Sequence, residues 1–297
     1  MPIVNLDSLS LWYQLTPGAR PAAEPALLIQ GLGMQATDWP AALVAGLAAE
    51  RPVLVFDNRD SGLSQLFGRA SVETLTMEDF PGAAPLCGPV AYGLSDMAAD
   101  AWRLADALGL ARVHLVGFSM GGMIAQVMAA MRPERTASLA GLMTSAGQPW
   151  IESAPEADAM MRRSILHEGK RGRLIDFMLA AEAVYAGPVP LPAEGTRRGA
   201  IRQALVRGHH PAGIWRQARA MRDAGERRGM LAGIAAPTLL LHGAEDPVIA
   251  LSQAAEIKHI LPGAAFIELA RTGHILTEGN AGEIGARIGD FWRRATV

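Results

Sequence analysis

Ser119 stands in Gly117-Phe118-Ser119-Met120-Gly121, a G-x-S-x-G arrangement whose residue types suit a nucleophile held on a tight turn. In a chain with 32 glycines the match alone is weak, and a structural Gly-Ser turn is its ordinary reading. The flanks strengthen it. Val113-His-Leu-Val116 reads as a buried strand, and Met120-Gly-Gly-Met-Ile-Ala-Gln-Val-Met as the start of a helix. A sharp strand-to-helix turn brings backbone segments too close for side chains, which accounts for Gly117 and Gly121 and leaves the Ser119 hydroxyl exposed at the strand's carboxyl end. The helix start adds a field that favours developing negative charge.

A serine hydroxyl needs a base, and an imidazole base needs a carboxylate to orient it. Of the seven histidines, His114 precedes the serine within a strand, and His209 and His210 fall in a region without strands. His242 lies within a strand, which favours a packing role. His274, in Arg271-Thr-Gly-His-Ile, follows the last strand on a loop at the correct end of the sheet and is the best base, a plain surface-loop histidine being the alternative. Asp246 follows the preceding strand in His242-Gly-Ala-Glu-Asp-Pro-Val, on a loop that Pro247 stiffens. Glu245 is its nearest rival, and a solvated carboxylate is the ordinary reading of either. A tetrahedral oxyanion also needs donors. The backbone N–H of Met120 is one by geometry, and Gly31-Leu32-Gly33 offers the N–H of Leu32 as the other.

These residues require a frame of parallel strands, and short apolar runs do alternate with Ala/Leu-rich segments of helical period. Strands are expected at Pro25 to Gln30, Pro52 to Phe56, Val113 to Val116, Leu139 to Met143, Thr238 to His242 and Ala265 to Leu269, with one or two edge strands within Val4 to Gln14. Helices are expected from Ala41 to Ala49, from an N-cap at Ser95 through Leu108 to a stop at Gly109, from Met120 to Met131, and from Glu283 to Arg294. Ser145 to Gly233 has no comparable strand and is too long for a structureless loop, so it reads as helical. The expected organisation is an α/β core of residues 1–144 and 233–297, with a mostly parallel sheet, and a helical insertion at 145–232.

Composition narrows the partners. Half of the 297 residues are hydrophobic and 19% charged, which suits one large globular core. A net charge of −2 supplies no basic field for nucleic acid or an anionic membrane, so a small-molecule partner is expected. Cys87 is the only cysteine, which excludes an internal disulfide and a multi-cysteine metal site, and it has no neighbouring base. His209-His210 has no carboxylate or cysteine at ligand spacing, so no metal is expected. The start Met1-Pro-Ile-Val-Asn-Leu-Asp7 has no basic segment followed by an apolar one, and no apolar run reaches about 18 residues. A cytoplasmic protein without a membrane span is expected. Met34, Met120, Met123, Met143, Met160 and Met161, like Trp39 and Trp150, read as packing residues, with pocket lining the alternative. Between Arg162 and Arg228, 13 arginines and one lysine stand against six acids. Scattered over many helical phases, they read as a solvated surface rather than an anion-binding face.

Gln30-Gly-Leu-Gly33, Asp57-Asn-Arg-Asp-Ser-Gly-Leu-Ser64, Gly117 to Gly121, Gly243-Ala-Glu-Asp246-Pro and Gly273-His274, taken together and in order, resemble the α/β-hydrolase superfamily, and within it serine esterases of the aclacinomycin methylesterase type. The resemblance spans nearly the whole chain. It implies an α/β-hydrolase fold with the 145–232 insertion as a helical cap. It also implies a Ser119, Asp246, His274 triad with oxyanion donors at Leu32 and Met120, and esters of a moderately bulky, mainly apolar small molecule, methyl esters among them, as substrates. No cofactor is implied. Gln30 stands where many relatives have His, a change that donation by the Leu32 backbone tolerates, and Asp57 to Ser64 is implied to tie loops beneath the site. The same triad also serves carbon–carbon bond hydrolases and cofactor-free perhydrolases. An aspartate nucleophile, as in dehalogenases and epoxide hydrolases, is disfavoured by Ser119. A ligand receptor on a hydrolase scaffold is the non-enzymatic alternative.

Overall fold

The computed structural model describes residues 2–67, 92–147, 153–165 and 171–295, so Cys87 and Trp150 lie outside the described residues. Eight strands, β1 (Ile3–Leu6), β2 (Leu9–Thr16), β3 (Ala26–Ile29), β4 (Val53–Phe56), β5 (Val113–Phe118), β6 (Thr136–Leu142), β7 (Thr238–Gly243) and β8 (Ala265–Leu269), form one sheet in the order β1-β2-β4-β3-β5-β6-β7-β8. The β1–β2 and β2–β4 pairs are antiparallel, and every pair from β4 to β8 is parallel. The carboxyl ends of the parallel strands therefore share one edge, where an open α/β sheet gathers its functional loops.

Strand periodicity explains why these runs are apolar throughout. In β3, Leu27 and Ile29 pack on one face and Ala26 and Leu28 on the other, and β5 divides Leu115 from Val116 in the same way. Helices α2 (Leu94–Ala107) and α3 (Met120–Met131) cover the first face. Helices α1 (Ala41–Ala48) and α10 (Glu278–Ala295) pack on each other over the second. Trp39, Met120, Met123 and Met143 are buried in this core, as expected of packing residues.

Between β6 and β7 the chain forms α4 (Pro155–Ile165), α5 (Arg171–Ala186), α6 (Glu194–Gly208), α7 (Pro211–Asp223) and α8 (Arg228–Ala232), and α9 (Leu251–Ile260) follows β7. Leu174, Ile175 and Leu179 of α5 pack with Ile201 and Leu205 of α6 in an apolar cluster separate from the sheet's. No helix among the described residues is long and apolar enough to cross a membrane.

Several element ends differ from the sequence expectation. The cap of α2 is Gly93 rather than Ser95, because the Asp96 carboxylate reaches back to the Gly93 N–H (2.7 Å). Helix α10 starts five residues before the expected Glu283, despite Gly279, Asn280 and Gly282. Its first turn is closed by Thr277 and Asn280, with Asn280 Oδ1 accepting the Thr277 N–H (2.9 Å) and Thr277 Oγ1 the Gly279 N–H (3.1 Å). Strand β6 begins at Thr136 rather than Leu139, since Thr136 and Ser138 pair with Val113 and His114 despite being polar.

Candidate active site

Ser119 joins β5 to α3 with φ 54° and ψ −119°, in the left-handed half of φ space that a residue with a Cβ enters only under constraint. The constraint comes from both sides. A Cβ on Gly117 would collide with the Gly121 carbonyl, and one on Gly121 with the Ile29 carbonyl. The turn is held by Ser119 N–H donating to Leu142 O (2.9 Å) and Thr144 Oγ1 donating to Ser119 O (2.9 Å). Ser119 stays half-buried among buried neighbours.

His274 follows β8 and presents Nε2 to Ser119 Oγ at 3.0 Å and Nδ1 to Asp246 Oδ2 at 2.7 Å. Asp246 follows β7. Its Oδ1 accepts the N–H groups of Val248 and Ile249, both at 2.8 Å. The three side chains thus come together from three loops at one sheet edge, as the sequence order anticipated, while Glu245 is exposed to solvent. Burial works to raise the Asp246 pKa, but the charge of His274 and hydrogen bonds from His242 and His274 outweigh it and hold the carboxyl well below the usual carboxylate range. An ionised Asp246 that accepts from Nδ1 leaves Nε2 as the imidazole's acceptor, facing the serine hydroxyl.

His242 is buried within β7, as its strand position suggested, and makes polar contacts besides. Its Nε2 lies 2.8 Å from Ile249 O and 3.3 Å from Asp246 Oδ2, the same carboxylate oxygen that faces His274 Nδ1. The i, i+4 spacing of His242 and Asp246 was visible, but nothing local shows that the chain folds back between them. Phe118 stacks beside the His274 ring at 5.0 Å.

The loop after β3 lies against the serine. A Cβ on Gly31 would stand 3.2 Å from Ser119 Cβ. Residues 31–34 form a turn in which Met34 N–H donates to Gly31 O (3.3 Å), with Gly33 at φ 68°. The N–H groups of the two central residues, Leu32 and Gly33, are not used by that bond. Met120 opens α3, where the first N–H groups have no carbonyl a turn earlier to bond. Gln30 is fully buried, its main-chain carbonyl accepting from Asn58 Nδ2 (3.4 Å).

The inserted helices touch these loops directly. Tyr185 O and Ala186 O, at the end of α5, accept the N–H groups of His274 (2.6 Å) and Gly273 (3.1 Å). Arg207 on α6 pairs with Asp57 (2.7 Å), and Arg216 on α7 grips Asp60 through two bonds of 2.7 and 2.6 Å. Arg227 reaches Ser145 O (2.9 Å), and burial pulls its guanidinium down to about 10. Arg228 pairs with Glu256 of α9 (2.6 Å). Arg207, Arg216 and Arg227, the last also reaching Gln126 Oε1 of α3 (3.3 Å), are therefore contacts with the core rather than the solvated surface expected from their scatter, whereas Arg228 is exposed, as expected. Asp57 and Asp60, both with fully buried side chains, require cationic partners, and their partners come from more than 140 positions along the chain. Asp57 also receives the Ala36 and Leu63 N–H groups (2.7 and 2.9 Å), which is the loop-tying part implied for it. Among the described residues no group of three His, Cys, Asp or Glu side chains is arranged to hold a metal ion.

Comparison with known proteins agrees with this architecture. A family model described as alpha/beta hydrolase fold matches residues 25–281. The chain is 27% identical to the rhodomycin D methylesterase DauP of Streptomyces sp. (strain C5) over 99% of both chains. It is 26% identical to a putative carbamate hydrolase RutD of Pseudomonas savastanoi pv. phaseolicola, over 84% of this chain and 85% of that one. Among solved structures, a meta-cleavage product hydrolase from Pseudomonas fluorescens IP01 superposes with a TM-score of 0.75 at 16% identity, covering 97% of this chain and 95% of that one, and so shares the fold. The chain belongs to the α/β-hydrolase fold family and is a hydrolytic enzyme.

Proposed function

We propose that the protein is a serine carboxylesterase acting on esters of a moderately bulky, mainly apolar small molecule, with methyl esters as the favoured class. The observation that carries the reading is the continuous path from Ser119 Oγ through His274 to Asp246, at 3.0 and 2.7 Å. Ser119 Oγ attacks the ester carbonyl while His274 Nε2 takes its proton, and the oxyanion is received by the N–H groups of Leu32 and Met120. Collapse expels the alcohol, which leaves with the proton from His274. Water then attacks the acyl-enzyme as His274 takes its proton, and His274 returns that proton to Ser119 Oγ as the carboxylic acid leaves. Asp246 stays ionised throughout and keeps the imidazole in the productive tautomer. The full-length similarity to a rhodomycin D methylesterase supports the methyl-ester preference.

In this reading residues 145–232 act as a cap. They leave the sheet after β6 at the catalytic edge, and Met161, Ile214 and Trp215 meet Leu32 around Ala218. The test is a fluorophosphonate ester followed by peptide mapping, alongside turnover of p-nitrophenyl esters, aromatic methyl esters and meta-cleavage diketones. We expect one adduct, on Ser119, and turnover of esters above diketones. An adduct on another serine, or faster diketone cleavage, would overturn the assignment.

A further inference from the structure

We infer that Gln217, on α7 of the inserted helices, positions the oxyanion loop and so sets the turnover rate for every ester, large or small; the inference rests on the triad and oxyanion reading above. Gln217 is 1% exposed, and both ends of its amide are engaged. Oε1 accepts the Gly33 N–H (3.0 Å) and Nε2 donates to Arg59 O (2.7 Å). One side chain from the insertion thus ties together two core loops, the one after β3 and the one after β4.

The bond to Gly33 matters because of the turn it enters. With Gly33 at φ 68°, the peptide between Leu32 and Gly33 is the central unit of the 31–34 turn, and rotation of that unit converts one turn type into another. A fixed acceptor for the Gly33 N–H holds the unit in one orientation and leaves the Leu32 N–H, one peptide earlier, for the oxyanion. The anchor is itself rigid. Arg59 is held by Asp100 through two bonds of 2.5 and 2.7 Å, and its guanidinium lies 4.6 and 4.8 Å from the rings of Phe67 and Tyr92. The neighbouring turn of α7 reinforces the contact, since Ile214 would stand 3.0 Å from a Cβ on Gly33 and Leu32 packs against Ala218. An apolar residue would fill the same space. A buried amide is retained at lower cost only when both its donor and its acceptor are bonded, as they are here.

Gln217 touches no reacting atom, so it is a positioning residue. The decisive variant is Gln217→Met, similar in volume and without either hydrogen bond, assayed with p-nitrophenyl acetate and with a bulky aromatic methyl ester. Loosening rather than deleting an oxyanion donor should lower kcat about 10- to 100-fold for both esters, with KM within about 3-fold and the acid limb of the pH profile, which reports protonation of the base, unmoved. Should the Met variant fail to fold, Gln217→Ala removes both bonds without added bulk and takes its place. Unchanged kcat on p-nitrophenyl acetate, or a loss confined to the bulky ester or to KM, would each overturn the inference. Fluorophosphonate titration separates the two levels. A full Ser119 titre with wild-type turnover in Gln217→Met defeats the clamp alone, whereas a wild-type adduct away from Ser119 defeats the site and the clamp together.

Discussion

The loops that carry Ser119, Asp246 and His274 are shaped by main-chain hydrogen bonds and glycine contacts, and the end of α5 meets the His274 loop through main-chain bonds too, whereas α6 and α7 are joined to the loops after β3 and β4 largely by charged and amide side chains. The first kind of construction depends on strand pairing and on positions where no Cβ fits. The second depends on single long side chains such as Arg207, Arg216 and Gln217 finding buried partners. Backbone scaffolding fixes where Ser119, Asp246 and His274 stand, and the side-chain clasps fix how the insertion sits on the core.

The largest test of the contrast lies on the backbone-built side. Asp246→Asn should leave the fold intact and lower kcat about 10⁴-fold by favouring the wrong tautomer of His274, while Glu245→Gln, one residue away and exposed, should change kcat less than about 2-fold. Single-turnover measurements decide it, and the reverse ranking would move the acid to Glu245. On the side-chain-built side, Arg216→Met strips the cation from an Asp60 whose side chain is fully buried and which also accepts from Tyr92 Oη (2.8 Å) and the Phe67 N–H (2.7 Å). An uncompensated buried carboxylate costs about 3–5 kcal/mol, which denaturant unfolding would read directly. A change below about 1 kcal/mol would mean that the clasp is dispensable and the contrast overdrawn.

The smallest effect concerns acid. His114, within β5, is 1% exposed, and burial, then the charges of Arg51 and Arg112, pull its pKa down to about 3. Below an unfolded value near 6.5 the unfolded chain takes up a proton that the folded chain refuses, so this contribution is intact at pH 7 and is lost as pH falls from about 6.5 toward about 3. Between pH 7 and pH 5 the wild type should lose about 2 kcal/mol more than His114→Gln does, as read from denaturant midpoints. Parallel pH curves for the two proteins would reject the assignment.

How much of this was legible depended on range. Ser119, Asp246 and His274 each sit a few residues past a strand whose apolar run is unmistakable, so sequence reasoning led to the side chains that the fold brings together. The loop after β3 was legible for the same reason, through Gly31 and Gly33, although the turn it makes was not. His242 was read as a buried strand residue, which it is, but its approach to Asp246 was hidden because that depends on how the chain turns after β7, and the alternation of a strand carries no trace of that turn. Arg216 and Gln217 were missed because their partners lie 156 and 184 or 158 positions away, and a charge count over one window has no means of pairing across such distances. The early start of α10 was hidden by Gly279, Asn280 and Gly282, residues that on local propensity argue for a loop.

The pairing of Arg207 with Asp57 and of Arg216 with Asp60 also bears on how such enzymes can be recombined. An insertion exchanged between relatives by cutting after β6 and rejoining before β7 would leave two buried aspartates facing whatever the donor happens to carry. The transferable unit is therefore discontinuous, comprising the helices together with the 57–64 segment that receives their arginines, and chimeras that move both are the ones expected to fold.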